Sequence, residues 1–595
     1  MMYGNMGKIL FVDLSTGKIT VETPDESLYR QFIGGYGVGA KILYDRQKPG
    51  ADPLGPGNYL GFTTGPAVGI KGLWGTRFMT VGKSPLTGSW GDANGGGYFG
   101  PTLKFAGFDD VFFNGVSAKP VFLLINDGKA ELRGASHLWG KTVWDTEAAL
   151  KAEFGKKAAV ACIGPAGEKK VLFSAIMHDT GCAAARNGLG AVMGSKNLKA
   201  VVALGTGEVP VADKKKVDEF AKELLGMLEG DMYDTFRKYG TAGTLDASAQ
   251  NGDSPVKNWA GSGPDDFPNS TEIGFVHVME RQERKHACLW CPIACKGLMK
   301  AGKEYSYPAG VHKPEYETLA SFGTMLLNDN VESIIQASNL CNNYGVDTIS
   351  AGAVVAFAAE CYEHGILTQS DTGGIDLTWG NDRGFIALLE KIIRREGIGD
   401  VLANGVKRAA KAIGKGADQY AIHAGGQELA MHDPRFMETM GPTFCGDPAP
   451  GRHTSASGLA PLTPMFRLVD LTGLCLMHFV STSMGLPFDR LISVATGWDV
   501  SSDEANLAGE RVNNIRQAFA VREGFKPSDW DISTGRPIGN PPLEKGPVAG
   551  VSVDAVGLRT QNYIMWGWDP ETGKPSKEKL LELGLDNVAA DLWPE

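Results

Sequence analysis

The chain has 595 residues, 43% hydrophobic and 21% charged, with a formal net charge of −10. That length predicts about three or four domains with large buried cores. An acidic balance without a basic run removes the electrostatic footprint of a nucleic-acid binder, and no apolar run approaches the about 20 residues of a membrane span.

The first 210 or so residues predict a β-rich domain. KILFVDL and KITVE are apolar, β-branched runs joined by a Ser-Thr-Gly turn. VFLLIN and KAELRG flank Asp127-Gly128, a hairpin signal. Glycines cluster between these runs at 33–40 (IGGYGVGA), 92–100 (DANGGGYFG) and 185–196 (ARNGLGAVMGSK). None fits a dinucleotide fingerprint or a P-loop. They read either as turns in a Gly-rich sheet or, with Arg77, Asn94 and Arg186 close by, as backbone and guanidinium receptors for phosphate.

From about Val211 the pattern turns helical. VDEFAKELLGML places Val217, Phe220, Leu224 and Leu225 on one face, and AGAVVAFAAECYEHG and FIALLEKIIRREG continue the pattern. No internal repeat is visible. The expected boundaries are 1–210, 211–425 and 426–595, giving a multi-domain α+β protein with two mainly helical domains after the β-rich one.

The run CLWCPIAC carries Cys288, Cys291 and Cys295, and DLTGLC ends in Cys475. Three thiolates in one short loop, with a remote fourth, suit a [4Fe–4S] cluster. Zinc is the competing ion. The three-residue gap and the lack of a second tight cysteine pair favour the cluster. Nine cysteines in a chain of this size do not make a disulfide scaffold. With no visible secretory signal, the expected compartment is a reducing cytoplasm, and a cluster fits an anaerobic setting.

Two elements look alike: Asn342-x-x-Gly345-Val346-Asp347 and Asp470-x-x-Gly473-Leu474-Cys475. Each follows a helical stretch. They read as helix C-caps, or as turns presenting hydrogen-bonding groups to a heterocycle. Together with the cysteine loop, and with IGGYGVGA, SPLTG, GGGYFGPTLKFAGFD, PEYETLASFG and MHDPR, they make nearly the whole chain resemble the tungsten-containing aldehyde ferredoxin oxidoreductases.

The resemblance implies tungsten held by two molybdopterins beside a [4Fe–4S] cluster bound by Cys288, Cys291, Cys295 and Cys475. Asn342, Val346 and Asp347 match one pterin-contacting element, and Asp470, Leu474 and Cys475 the other. Arg77 and Arg186 match arginines near the pterin phosphates. Asn94, in the Gly95-Gly96 run, and Asn187 match positions whose carbonyls hold a bridging Mg²⁺. Gln336 and Asn339 replace a Glu-x-x-His of some members, so no interface metal is expected. Glu317 matches the family's base, with Tyr316 beside it to orient substrate, and His453 matches the histidine near the metal. Their plain alternatives are a carboxylate at a helix start and a structural hydrogen-bonder. His432 reads as structural, and Cys162, Cys182, Cys341 and Cys361 as core.

The expected activity is oxidation of an aldehyde, with electrons leaving through the cluster to ferredoxin or a dedicated Fe–S subunit. Homo- and hetero-oligomers both stay open. A benzoyl-CoA reductase catalytic subunit is the alternative within the resemblance. A pterin-free Fe–S or zinc protein, for electron transfer or structure, is the alternative from another class.

Overall fold

The computed structural model describes residues 2–594. Twelve strands build two six-stranded sheets. The first holds β1 (Ile9–Asp13), β2 (Lys18–Glu22), β3 (Leu60–Thr64), β4 (Arg77–Lys83), β5 (Trp90–Gly96) and β6 (Asp110–Asn114), in the order 2-1-6-3-4-5. The second holds β7 (Val121–Asn126), β8 (Lys129–Gly134), β9 (Ala159–Cys162), β10 (Ile176–His178), β11 (Cys182–Ala184) and β12 (Leu198–Leu204), in the order 11-10-9-12-7-8. Read backwards, the second order is the first with six added to every strand. The pairing sense repeats too: β1 with β6 and β7 with β12 are parallel, and the other neighbours are antiparallel. The sequence shows no internal repeat, but the topology is duplicated.

Strand alternation divides the core as a sheet sandwich requires. Leu10, Val12, Phe62 and Phe78 face Leu123, Ile125, Ala161 and Val201 between the sheets. The opposite residues of the first sheet (Ile9, Phe11, Met79, Val81) pack on C-terminal helices through Leu468, Val512 and Phe519. After Leu204 the chain is mostly helical. A separate core around the buried helix Thr348–Glu363 joins the middle helices to residues as far as Phe444. The β-rich start and helical remainder are thus as expected. No helix among the described residues is long and apolar enough to cross a membrane.

Candidate active site

The paired turns sit where helices dock on the two halves of the sandwich. Helix Val331–Tyr344 ends at Gly345 (φ 80°), and Asp347 caps the next helix by accepting from the Ile349 N–H at 3.1 Å. Helix Thr463–Thr472 ends at Gly473 (φ 81°), and Cys475 stands at the cap of Leu476–Ser481. Both are helix C-caps, and both also face the site. The Gly473 carbonyl accepts from Arg77 N–H at 3.1 Å, and the Gly345 carbonyl from Ala175 N–H at 2.9 Å. Gly65 and Gly164 allow this approach: a Cβ on either would lie 2.2 Å from the backbone of Thr472 or Tyr344.

The register relates the two halves residue by residue. Thr63 faces Met79, which faces Asn94; Cys162 faces Met177, which faces Ala183. The counterpart of Asn94 is therefore Ala183, and that of Arg77 is Ala175. Arg186 belongs to the loop after β11 and has no partner by repetition.

A cavity of about 620 Å³ collects most of the expected residues: Arg77, Gly96, Arg186, Cys288, Cys291, Cys295, Tyr316, Glu317, Asn342, Val346, Asp347, His453 and Cys475 all line it. A neighbouring cavity of about 210 Å³ adds Asn94 and Asp470, with Arg77, Arg186 and His453 shared. Leu474 is buried behind its turn. Gly95 gives room to His178, whose Nε2 lies 2.3 Å from where a Cβ would stand. Asn187 lines neither cavity. It is fully buried, its carbonyl accepts from Ser84 Oγ at 2.8 Å and its side chain is held by Gln427. Ala183, the register counterpart of Asn94, borders both cavities.

The cysteine loop spans the hairpin Gln282–His286 and Lys296–Met299. Arg77 Nη2 donates to Cys475 Sγ at 3.1 Å, Cys291 Sγ lies 3.3 Å from His478 Nε2, and Gly96 backs onto Cys288. No three of these four sulfurs lie within 4.8 Å of one another. One zinc ion, about 2.3 Å from each sulfur, would draw them to about 3.8 Å apart; a cube of iron and sulfide holds them wider. Burial, reinforced by Cys288, pushes the Cys291 thiol up to about 12. Grouped, half-buried thiols of this kind suit a positively charged inorganic centre. Cys182, expected in the core, is buried but accepts from Lys296 Nζ at 2.8 Å beside the loop.

The arginines do not stand alone. Arg77 Nη1 donates to Asn94 Oδ1, and Asn94 Nδ2 to Asp470 Oδ1 at 3.1 Å. Arg186 pairs with Asp347 at 3.1 Å. Arg452, not singled out in the sequence, lines the smaller cavity and pairs with Asp92. The Nε atoms of Arg77 and Arg186 are buried without a hydrogen-bond partner. Unspent buried donors around a small cavity fit phosphate groups.

Glu317 stands in the first turn of the buried helix Tyr316–Phe322. Its Oε2 accepts from the Met431 N–H at 2.9 Å. Its Oε1 has no hydrogen-bond partner, yet lies 3.3 Å from His453 Nδ1 and 3.5 Å from His432 Nε2. Burial raises the Glu317 carboxyl, with His432 the largest opposing influence. Burial, then His432 and Arg186, push His453 well below the ordinary imidazole range, so it is neutral. The Tyr316 hydroxyl donates to the Met431 carbonyl at 2.6 Å, which makes Tyr316 a support for the Met431–His432 segment. His432, expected to be structural, also lines the cavity. The structural pair in MHDPR is the fully buried Asp433–Arg435, and it leaves the imidazole pointing into the site.

Comparison with known proteins shows the family of the chain. The family model "Aldehyde ferredoxin oxidoreductase, N-terminal domain" matches residues 9–205, and "Aldehyde ferredoxin oxidoreductase, domains 2 & 3" matches residues 219–585. Tungsten-containing aldehyde ferredoxin oxidoreductases of Pyrococcus furiosus and Thermococcus kodakarensis are 37% and 36% identical, over 98% of this chain and 99% of each relative. The WOR-like subunit of an aliphatic sulfonate oxidoreductase of Pyrococcus furiosus is 32% identical over 99% of both chains. A solved active-site complex BamBC of benzoyl coenzyme A reductase, with 1,5-dienoyl-CoA, superposes with a TM-score of 0.83 at 26% identity, covering 99% of this chain and 98% of that one. An oxidoreductase with two duplicated sheets and paired helix-end turns, this chain belongs to the tungsten aldehyde ferredoxin oxidoreductase family.

Proposed function

We propose that the protein oxidises an aldehyde to a carboxylic acid and passes the electrons to ferredoxin or an Fe–S partner subunit. One observation carries this reading: a single cavity is bordered by Cys288, Cys291, Cys295 and Cys475, by both helix-end turns and by a buried carboxylate–imidazole pair. When bound, a tungsten bis-molybdopterin supplies the two-electron acceptor and a [4Fe–4S] cluster the one-electron exit.

Cys288, Cys291, Cys295 and Cys475 would hold the cluster. Arg77, Arg186 and Arg452 would receive the pterin phosphates. Asn342, Val346 and Asp347 would border one pterin, and Asp470, Leu474 and Cys475 the other. Asn94 and Ala183, rather than Asn187, suit a Mg²⁺ between the two halves. The net reaction takes the oxygen from water and releases two electrons and two protons per aldehyde. Glu317 Oε1 is placed to accept a proton from that water, and neutral His453 to donate a hydrogen bond to the aldehyde oxygen. Trp290, 46% exposed between two cluster cysteines, offers an outer face for the electron acceptor.

Metal analysis of anaerobically purified protein should give about one tungsten and about four iron per chain, with dye-linked oxidation across an aldehyde panel. Cys475→Ser should lower iron content and slow electron exit. Protein without iron and without tungsten or molybdenum would end the reading. The likeness to the BamBC complex makes an aromatic coenzyme A thioester the second substrate to assay. Reduction of that thioester, with no aldehyde oxidised, would move the assignment there.

A further inference from the structure

His432 touches Glu317 from the side opposite its own support. Its Nδ1 lies 3.0 Å from Asp253 Oδ2 and its Nε2 lies 3.5 Å from Glu317 Oε1. Asp253 is itself fixed: Ser248 Oγ donates to its carboxylate at 2.9 Å, and its carbonyl accepts from the Asp433 N–H at 2.8 Å. The Tyr316 ring packs on the imidazole with centroids 4.8 Å apart, and the His453 ring lies 5.1 Å from it. We propose that Asp253 and His432 form a positioning dyad that keeps Glu317 ionised and its Oε1 aimed into the cavity. The inference rests on Glu317 being the base of the reaction proposed above.

The charges around the imidazole decide its state. Burial disfavours imidazolium, but the Asp253 hydrogen bond and the Glu317 charge outweigh it and raise His432. Arg186 adds a weaker positive influence on Glu317 than His432 does, and the Asp253 charge acts on it directly in the opposite sense, as the smallest of the influences. A cation beside a buried carboxylate favours its charged form. Without that cation Glu317 should hold its proton to higher pH.

The test is made on anaerobic holoenzyme. In His432→Gln and in Asp253→Asn, the acid limb of the kcat/KM profile should move up by about one pH unit, with tungsten and iron content unchanged. Infrared difference titration, with Glu317→Gln identifying the carboxyl band, should show the same displacement independently of turnover. His432→Lys, which restores a cation, should return the band toward its original position. An unmoved limb and band in both the glutamine and asparagine variants would overturn the dyad. Full activity in Glu317→Gln would instead overturn the base assignment, a separate failure.

Discussion

At the residue scale the proposed reaction rests on one carboxylate and two imidazoles whose surroundings shift them in opposite directions. Glu317 is raised above the ordinary 4.5 by burial, so kcat/KM should climb as pH rises through that raised value. Burial holds His453 well below the ordinary imidazole range. His453→Asn should therefore lower the rate without moving the acid limb. Glu317→Gln should cost about 10²–10⁴-fold in kcat. Steady-state profiles of the two variants check both statements, and an acid limb displaced by His453→Asn would contradict the assignment of charge. Glu317 and His453 were legible through PEYETLASFG and PGRHTS. His432 was not, because MHDPR reads as a loop-closing ion pair and nothing in the sequence says that Asp253, 179 residues away, turns the imidazole inward. Arg452 was hidden by the histidine next to it. Asn187 came from the family resemblance, and only strand register shows that Ala183 is the counterpart of Asn94.

At the element scale the two helix-end turns perform the same task in different settings. Each needs a glycine in the left-handed region, where a side chain costs about 1–2 kcal/mol. The two differ in what a methyl group would meet. At Gly473 it would lie 2.2 Å from Val68 Cγ2, and at Gly345 the nearest atom is Gly164 N at 2.9 Å. Cys475 lies two residues beyond Gly473, whereas Asp347, paired with Arg186, lies two beyond Gly345. Gly473→Ala should lower both Tm and iron content, and Gly345→Ala should lower Tm while retaining iron. Equal iron loss in both would show that the turns are not independent. The sequence displayed both turns because spacing and residue type repeat locally. It did not display the duplicated sheets, because an alternating strand needs only some apolar residue on each face. Two six-stranded sheets can therefore share order and sense with little sequence in common.

At the scale of the whole molecule, a buried charge network ties the first sheet to the C-terminal helices behind the small cavity. Asp447 accepts from Arg467 at 2.5 Å, Arg516 at 2.9 Å and Ser457 Oγ at 2.7 Å, and Arg516 reaches on to Asp92 of β5 at 2.8 Å. Burial alone would raise Asp447, but Arg516 and Arg467 hold it well below the usual carboxylate range. A depressed carboxylate contributes stability that is complete above the unfolded value, about 3.9, and fades as pH falls through the lower folded value. Asp447→Asn removes that contribution and leaves two guanidiniums buried with one fewer counter-charge, a loss of about 3–5 kcal/mol at neutral pH. The exposed pair Arg490–Glu223 is the control, since solvent screens it. Thermal unfolding of the holoenzyme between pH 7 and about pH 3 should show a large neutral-pH drop in Tm for Asp447→Asn, a shallower fall on acidification than in the parent, and no change for Glu223→Gln. A parent-like acid slope in Asp447→Asn would mean that the network does not couple the sheet to the helices through this carboxylate.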